Sequence, residues 1–255
     1  MQWVKVTSRI MRCEIGFQHS RLCSASMDTP ADAMAAATAA FFDLDKTLIS
    51  RSSTLAFAPS FYRHGLISGV QVARGAFAQL VFRLGGADHN QMERIKEQVA
   101  KLCCGWQVER VAEIVSAHLA DTIGPIIYAE ARGLLDAHRE AGRDVIIVST
   151  SGQEMVGPIG AMLGASGIIA TRMRHAEGRY TGELEFYAYG EAKAIRIREL
   201  SAERGYRLSD CFAYSDSVTD LPMLEAVGHP HAVNPDRQLR KIASGRGWPV
   251  LDFAL

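Results

Sequence analysis

The chain has 255 residues, 48% of them hydrophobic, with 28 basic and 28 acidic side chains. A chain of this size buries the core of one domain with an insertion, or of two small domains, and its balanced charge removes any global electrostatic case for nucleic acid or a membrane surface as partner. No uninterrupted apolar run approaches the ~20 residues that a spanning helix needs, so no membrane span is expected and the protein reads as soluble.

Residues 1–35 stand apart from the rest. Met1 to Ser26 carries Lys5, Arg9, Arg12 and Arg21 against Glu14 alone, without the long apolar core of a secretory signal. An N-terminal extension ahead of alternative starts at Met27 and Met34 is the reading adopted, with a basic transit peptide as the other. Ala31 to Ala40 reads as a short helix or linker feeding the first strand. The apolar run Ala39 to Phe42 predicts a buried strand, and Asp43 and Asp45 emerge at its C-terminal end. Residues i and i+2 of a strand share a face, so both carboxylates look into one crevice, at the edge where open α/β sheets bind ligands. Like charges that close call for a nearby cation or a shared proton.

The next hundred residues carry helical rather than strand patterns. Helices are predicted over Leu55 to Tyr62, through Val70, Phe77 and Leu84 up to Gly85-Gly86, from Asp88 through Met92 and Val99 to Leu102, and over Val108 to Leu119. From Pro125 helices and strands alternate. Ile127 to Leu135 is a helix closed by Ala141-Gly142, Asp144 to Ser149 a buried strand, Val156 to Leu163 a helix and Ile168 to Ala170 a strand. Arg172 to Phe186 reads as a hairpin turning at Glu177-Gly178. Glu191 to Arg204 is helical, Cys211 to Tyr214 a strand and Leu221 to Val227 a short helix, and His231 to Val233 and Trp248 to Leu251 are outer strands. The pattern implies an α/β protein with a Rossmann-like, mostly parallel sheet. Residues 36–50 and 125–255 form its core, and 51–124 a helical cap inserted after the first strand.

Each buried strand ends in a polar cluster: Asp43-x-Asp45, then Ser149-Thr150-Ser151-Gly152, then Ser215-Asp216 with Asp220 close behind, while Lys193 begins an intervening helix. In a parallel sheet these ends share one rim. Two carboxylates and Asp216 suit a hard cation held through oxygens, Mg²⁺ above all, because it binds a few carboxylates and leaves room for a substrate phosphate. The Ser149 hydroxyl and the N–H groups opening the next helix suit that phosphate, and Lys193 adds a positive charge. Each piece also has a plain structural reading: Ser149 to Ser151 as a helix cap, Asp216 and Asp220 as helix-start carboxylates, Lys193 as a solvated helix residue. Order and placement favour the joint reading.

This ordered set resembles the haloacid dehalogenase-type phosphatases, nearest the branch that contains phosphoserine phosphatases, over about Ala39 to Phe253. Asp43-Leu-Asp45-Lys-Thr47 matches the first motif of that family, Val148-Ser149 the second, Lys193 the third and Asp216-x-x-x-Asp220 the fourth. The resemblance implies Asp43 as nucleophile, Asp45 as general acid and base, and Ser149, Thr150 and Lys193 as phosphate-binding residues. It implies Mg²⁺ held by Asp43, Asp45 through its backbone carbonyl, and Asp216, with Asp220 behind them. The expected activity is Mg²⁺-dependent hydrolysis of a small phosphorylated metabolite, through an aspartyl-phosphate, in the cytoplasm. A regulatory protein of cell division or differentiation that keeps the fold, or a phosphotransferase, is the alternative; the chain is also similar to actinobacterial members linked to septum placement or morphological differentiation.

The pattern departs from phosphoserine phosphatases at Ser52, where a glutamate is usual, at Ser215, Ser217 and Thr219, and at Thr150-Ser151, which replace a glycine pair. Arg51, Ser52, Ser53 and the stretch Arg83 to His89 are the candidate substrate-reading residues. The histidines show no metal-ligand spacing, His229 and His231 flank Pro230 in a loop, and Trp106 and Phe77 pack the cap. Cys13, Cys23, Cys103, Cys104 and Cys211 read as buried thiols of a reducing compartment. The sequence carries no signal of oligomeric state.

Overall fold

The computed structural model describes residues 37–69 and 97–254, all within a compact unit running from Ala35 to Leu255. The predicted extension, the helix over Val70 to Leu84 with Phe77, the start of the helix after Asp88 and the stretch Arg83 to His89 lie outside the described residues. Seven strands make one sheet: β1 Ala39–Asp43, β2 Asp144–Gly152, β3 Gly167–Ala176, β4 Arg179–Phe186, β5 Phe212–Ser215, β6 His229–Val233 and β7 Val250–Leu251, in the order β4-β3-β2-β1-β5-β6-β7. All neighbours run parallel except β3 and β4. Their hairpin turns on Glu177 and Gly178, with φ of 50° and 72°, the two left-handed residues that match a two-residue turn to strand twist.

The sheet has two buried faces, and the strand period of 2 decides which residue serves which. Ala40, Phe42, Val145 and Ile147 face one core, with Phe57, Val111, Val115, Leu135 and Ile159 packed on them. Those come from helices α1 Ser53–Arg63, α2 Val108–Ile123, α3 Ala129–Glu140 and α4 Gln153–Met162. Ala39, Phe41, Ile146 and Val148 face the other, against Ile197, Leu200, Met223, Leu224, Leu239 and Ala243. These belong to α5 Glu191–Arg204, α6 Leu221–Glu225 and α7 Arg237–Arg246. Burial of such an aliphatic or aromatic side chain contributes about 1.5–3 kcal/mol.

The helices between β1 and β2 are tied to the sheet at their far side. Gly105 N–H donates to Tyr180 O at 2.9 Å, Tyr180 N–H to Trp106 O at 3.0 Å and Val108 N–H to Gly178 O at 2.9 Å. Trp106 packs on Phe61, with ring centroids 6.1 Å apart, as expected of a packing residue.

Several expectations need correction. Helix α7 was not foreseen; Asp236 caps it by accepting from Leu239 N–H at 2.8 Å, and only Leu239 and Ala243 are buried on it. The apolar signal is that thin. Ile127 lies before α3 and bridges to Ile49 instead. Strand β2 runs on through Ser149 to Gly152. His229 and Pro230 are part of strand β6 and not of a loop. Cys211 is buried, but Cys103 is only partly so and Cys104 is exposed.

His138 on α3 is buried, and its Nε2 meets the Tyr214 hydroxyl at 2.8 Å. Burial, then the charge of Arg143 and the nearby His231, push its pKa down to about 4. Between that value and the ordinary 6.5 the unfolded chain binds the extra proton, so this contribution is intact above pH 6.5 and is lost as pH falls towards 4. The wild-type protein is expected to lose about 3 kcal/mol through this group across that window. His138→Gln, followed by urea unfolding at pH 7 and pH 4.5, should flatten the dependence by a comparable amount.

Candidate active site

Register brings the polar strand ends together. Asp43 ends β1 opposite Val148 of β2, and Phe42 pairs with Tyr214 of β5. Ser149 and the pair Ser215-Asp216 therefore follow directly on the two strands that flank Asp43, with neighbouring strands about 4.8 Å apart. Beneath them Phe42 and Tyr214 stack with centroids 4.4 Å apart, a stiff floor under the rim. After Asp43 the chain folds back at once, the Leu44 carbonyl accepting from Leu48 and Ile49 N–H at 3.0 and 3.1 Å. Lys46 adopts a left-handed φ of 68° there, strain of the kind that gathers at functional turns.

Lys193 is the centre of the cluster. It lies in the first turn of α5, reached through Gly190, whose φ of 55° and ψ of −126° suit glycine alone. The residue is 1% exposed, and Nζ donates to Asp43 Oδ1 at 2.7 Å and Asp220 Oδ2 at 2.8 Å. Burial works against its charge, but Asp220 and Asp43 outweigh burial and raise its pKa. The solvated-lysine reading therefore does not hold. Asp220 precedes α6 without capping it; its carboxylate instead takes Lys193 and the Ser215 hydroxyl, the latter at 2.8 Å.

Asp45 is held on both oxygens, by Ser53 N–H at 2.9 Å and by the Ser151 hydroxyl at 3.2 Å. Ser149 accepts from Ser151 N–H at 3.1 Å, which leaves its own proton for a ligand oxygen. The helix-cap reading of these serines is not realised, since Gly152 is the N-cap and no side chain caps α4. The Thr150 hydroxyl is committed elsewhere, donating to Ala188 O at 2.9 Å, so its side chain braces the segment leading to Lys193. Ser52 opens α1 but makes no capping bond, and Arg51 is exposed.

Burial pushes Asp43 up to about 7, with Asp220 and Asp45 adding to it and Lys193 opposing. Asp216 is pushed up to about 8, by burial first and by Asp43 second, although Lys46 sits 3.9 Å away. Asp45 is raised too, mainly by burial. Burial is the first cause for all three, and Lys193 and Lys46 only partly offset it. All are hard oxygen donors, so the set fits a divalent cation such as Mg²⁺. Among the described residues no three carboxylate, imidazole or thiol side chains meet as a ready-made metal cage.

Sequence reading missed the Ser53–Ser151 contact with Asp45 and the role of Asp236. Asp236 accepts from Val218 N–H at 2.8 Å, while its own N–H donates to Asp216 O at 2.7 Å. The usable signal was Asp236 three residues before Leu239, a helix-cap spacing.

Comparison with known proteins gives the family. The model of the family described as haloacid dehalogenase-like hydrolase matches residues 40–225. The inhibition of morphological differentiation protein of Streptomyces azureus is 61% identical over 85% of this chain and 78% of its own. A probable phosphatase of Mycobacterium tuberculosis is 56% identical over 86% and 76%, and a histidinol-phosphatase of Neisseria meningitidis 33% identical over 84% and 98%. A substrate-bound phosphoserine phosphatase shares the fold, with a TM-score of 0.63, 18% identity, and 84% and 92% of the two chains covered. The chain belongs to the haloacid dehalogenase-like hydrolase family and is an enzyme of its phosphatase type. Among the described residues no helix is long and apolar enough to cross a membrane.

Proposed function

We propose that the chain hydrolyses a small phosphorylated metabolite with the help of Mg²⁺, through a phosphoryl group carried on Asp43. The observation that supports this best is Lys193, buried between Asp43 and Asp220 at 2.7 and 2.8 Å. A buried ammonium there holds the Asp43 carboxylate in place and presents positive charge where phosphoryl oxygens would sit.

Asp43 attacks phosphorus in line; the Asp43–phosphorus bond forms while the bond to the leaving oxygen breaks. Asp45 delivers its proton to that oxygen, then removes one from the water that cleaves the aspartyl-phosphate. Ser149 and Lys193 hold the phosphoryl oxygens, and the backbone of the Thr150 segment borders them. Mg²⁺, held by Asp43, the Asp45 carbonyl and Asp216, would supply charge neutralisation. Arg51 and Ser52 border the leaving group and read its alcohol. A serine cannot bind an ammonium group as a carboxylate does, so the alcohol differs from serine or is read elsewhere. The related proteins named for phosphoserine and for histidinol phosphate agree with a family site that takes different alcohols.

Phosphate release from p-nitrophenyl phosphate tests this reading. Chelation with EDTA is expected to bring turnover to background, and added Mg²⁺ to restore it. Full turnover in excess EDTA would refute the metal requirement. Running the reaction with an added alcohol and analysing products separates hydrolysis from transfer.

A further inference from the structure

The hydroxyls of Ser53 and Ser151 form a linked relay on Asp45. The Ser151 hydroxyl donates to Asp45 Oδ2 at 3.2 Å. Ser53 Oγ and Ser151 Oγ stand 2.8 Å apart, either able to donate to the other, and the Ser53 hydroxyl also bonds Asp45. Thr54 Oγ1 stands 3.3 Å from the same Ser151 oxygen. Ser53 also gives its main-chain N–H to Asp45 Oδ1, at 2.9 Å. Ser53 is fully buried and Ser151 is 7% exposed, so water competes poorly for these bonds. Both carboxyl oxygens are thereby fixed, one from the first turn of α1 and one from the tip of β2. Each oxygen keeps a second lone pair, so the carboxyl plane is set while a site for the transferable proton remains open.

We propose that Ser151, backed by Ser53, is a positioning residue that aims the Asp45 carboxyl at the leaving-group oxygen. This rests on the acid–base role of Asp45 given above. A free carboxyl rotates about its last bond, and a proton donor off line by a fraction of an ångström loses much of its effect. The relay also joins the root of the helical insertion to the strand that carries Ser149.

The test uses leaving-group dependence. Phenyl phosphate has a poor leaving group and needs a proton; p-nitrophenyl phosphate has a good one and needs little help. Both are similar in shape, and kcat/KM reports the steps up to release of the phenol. In Ser151→Ala, kcat/KM for phenyl phosphate is expected to fall roughly tenfold or more, and for p-nitrophenyl phosphate less than about threefold. Ser151→Thr keeps a hydroxyl and should recover most of the phenyl phosphate rate. Ser53→Ala retains its main-chain donor and should give a smaller bias in the same direction. Equal losses on both substrates would mark Ser151 as merely structural, and no loss on either would mark it as idle; each overturns the proposal. Asp45→Asn is the reference: a strong bias there with none in Ser151→Ala defeats the relay alone. No bias in Asp45→Asn defeats the acid–base reading, and the relay with it.

Discussion

Replacing Asp43 with asparagine is expected to stop turnover while leaving the protein folded. Asparagine has nearly the same shape and still offers Lys193 an acceptor, but its amide cannot attack phosphorus. The expected fall in kcat is on the order of 10⁴-fold or more, the scale seen when a nucleophile is removed from an otherwise complete site. Stability should move little or upward. Burial is the main reason Asp43 holds its proton up to about 7, so the charged form is a cost to the fold near neutral pH, and asparagine removes it. Such opposition between chemistry and stability is common where a site needs a strained or poorly solvated group. Phosphate release and thermal melts of the metal-free protein decide the matter. Retained turnover would dismiss Asp43 as nucleophile, whereas a collapsed fold would assign it a structural task instead.

Lys193→Met carries the second large effect, now on both counts. Methionine fills similar space but leaves Asp43 and Asp220 buried without the ammonium that bonds both. Removing one partner of a buried ion pair typically costs about 3–5 kcal/mol, because the remaining charges stay uncompensated. The pH sign follows from the proton count. Asp43 can be neutralised by a proton, so the folded variant binds more protons than its unfolded chain, and its stability falls as pH rises. The deficit relative to wild type should therefore be larger at pH 8 than at pH 5.5, as read by denaturant unfolding. Turnover should fall by about 10²–10³, the usual loss when one charge-stabilising donor is removed from such a site. A variant as stable as wild type at pH 8 would contradict the picture of a charge-balanced knot.

What could be read in advance depended on how local each determinant was. The Asp43-x-Asp45 pair, the buried strand after Asp144 and the turn at Glu177-Gly178 are written in consecutive residues, through alternation, charge spacing and left-handed turn formers. The rim they share follows once the strands are taken as parallel. Two features escaped for opposite reasons. Helix α7 has few buried residues, so its amphipathic stripe is faint beside its arginines. The bond from Ser151 to Asp45 spans 106 positions, and no local pattern encodes which hydroxyl will land on which carboxylate. That is decided by register between β1 and β2 and by where α1 starts. Thr150 shows the same limit: its neighbour Ser151 points to the acid, whereas its own hydroxyl turns to Ala188.

The main-chain bonds between Gly105, Trp106 and Val108 on one side and Gly178 and Tyr180 on the other have a mechanical meaning. With Ser53 fastened to Asp45 at the opposite end, the insertion is pinned at two separated points. Between these pins Phe57, Val111 and Val115 are buried in the core that Phe42 and Ile147 line, so lifting either end breaks main-chain bonds and uncovers apolar surface together. The described part of the insertion is thereby built as one piece with the sheet, whose antiparallel edge serves as one of its two anchorages.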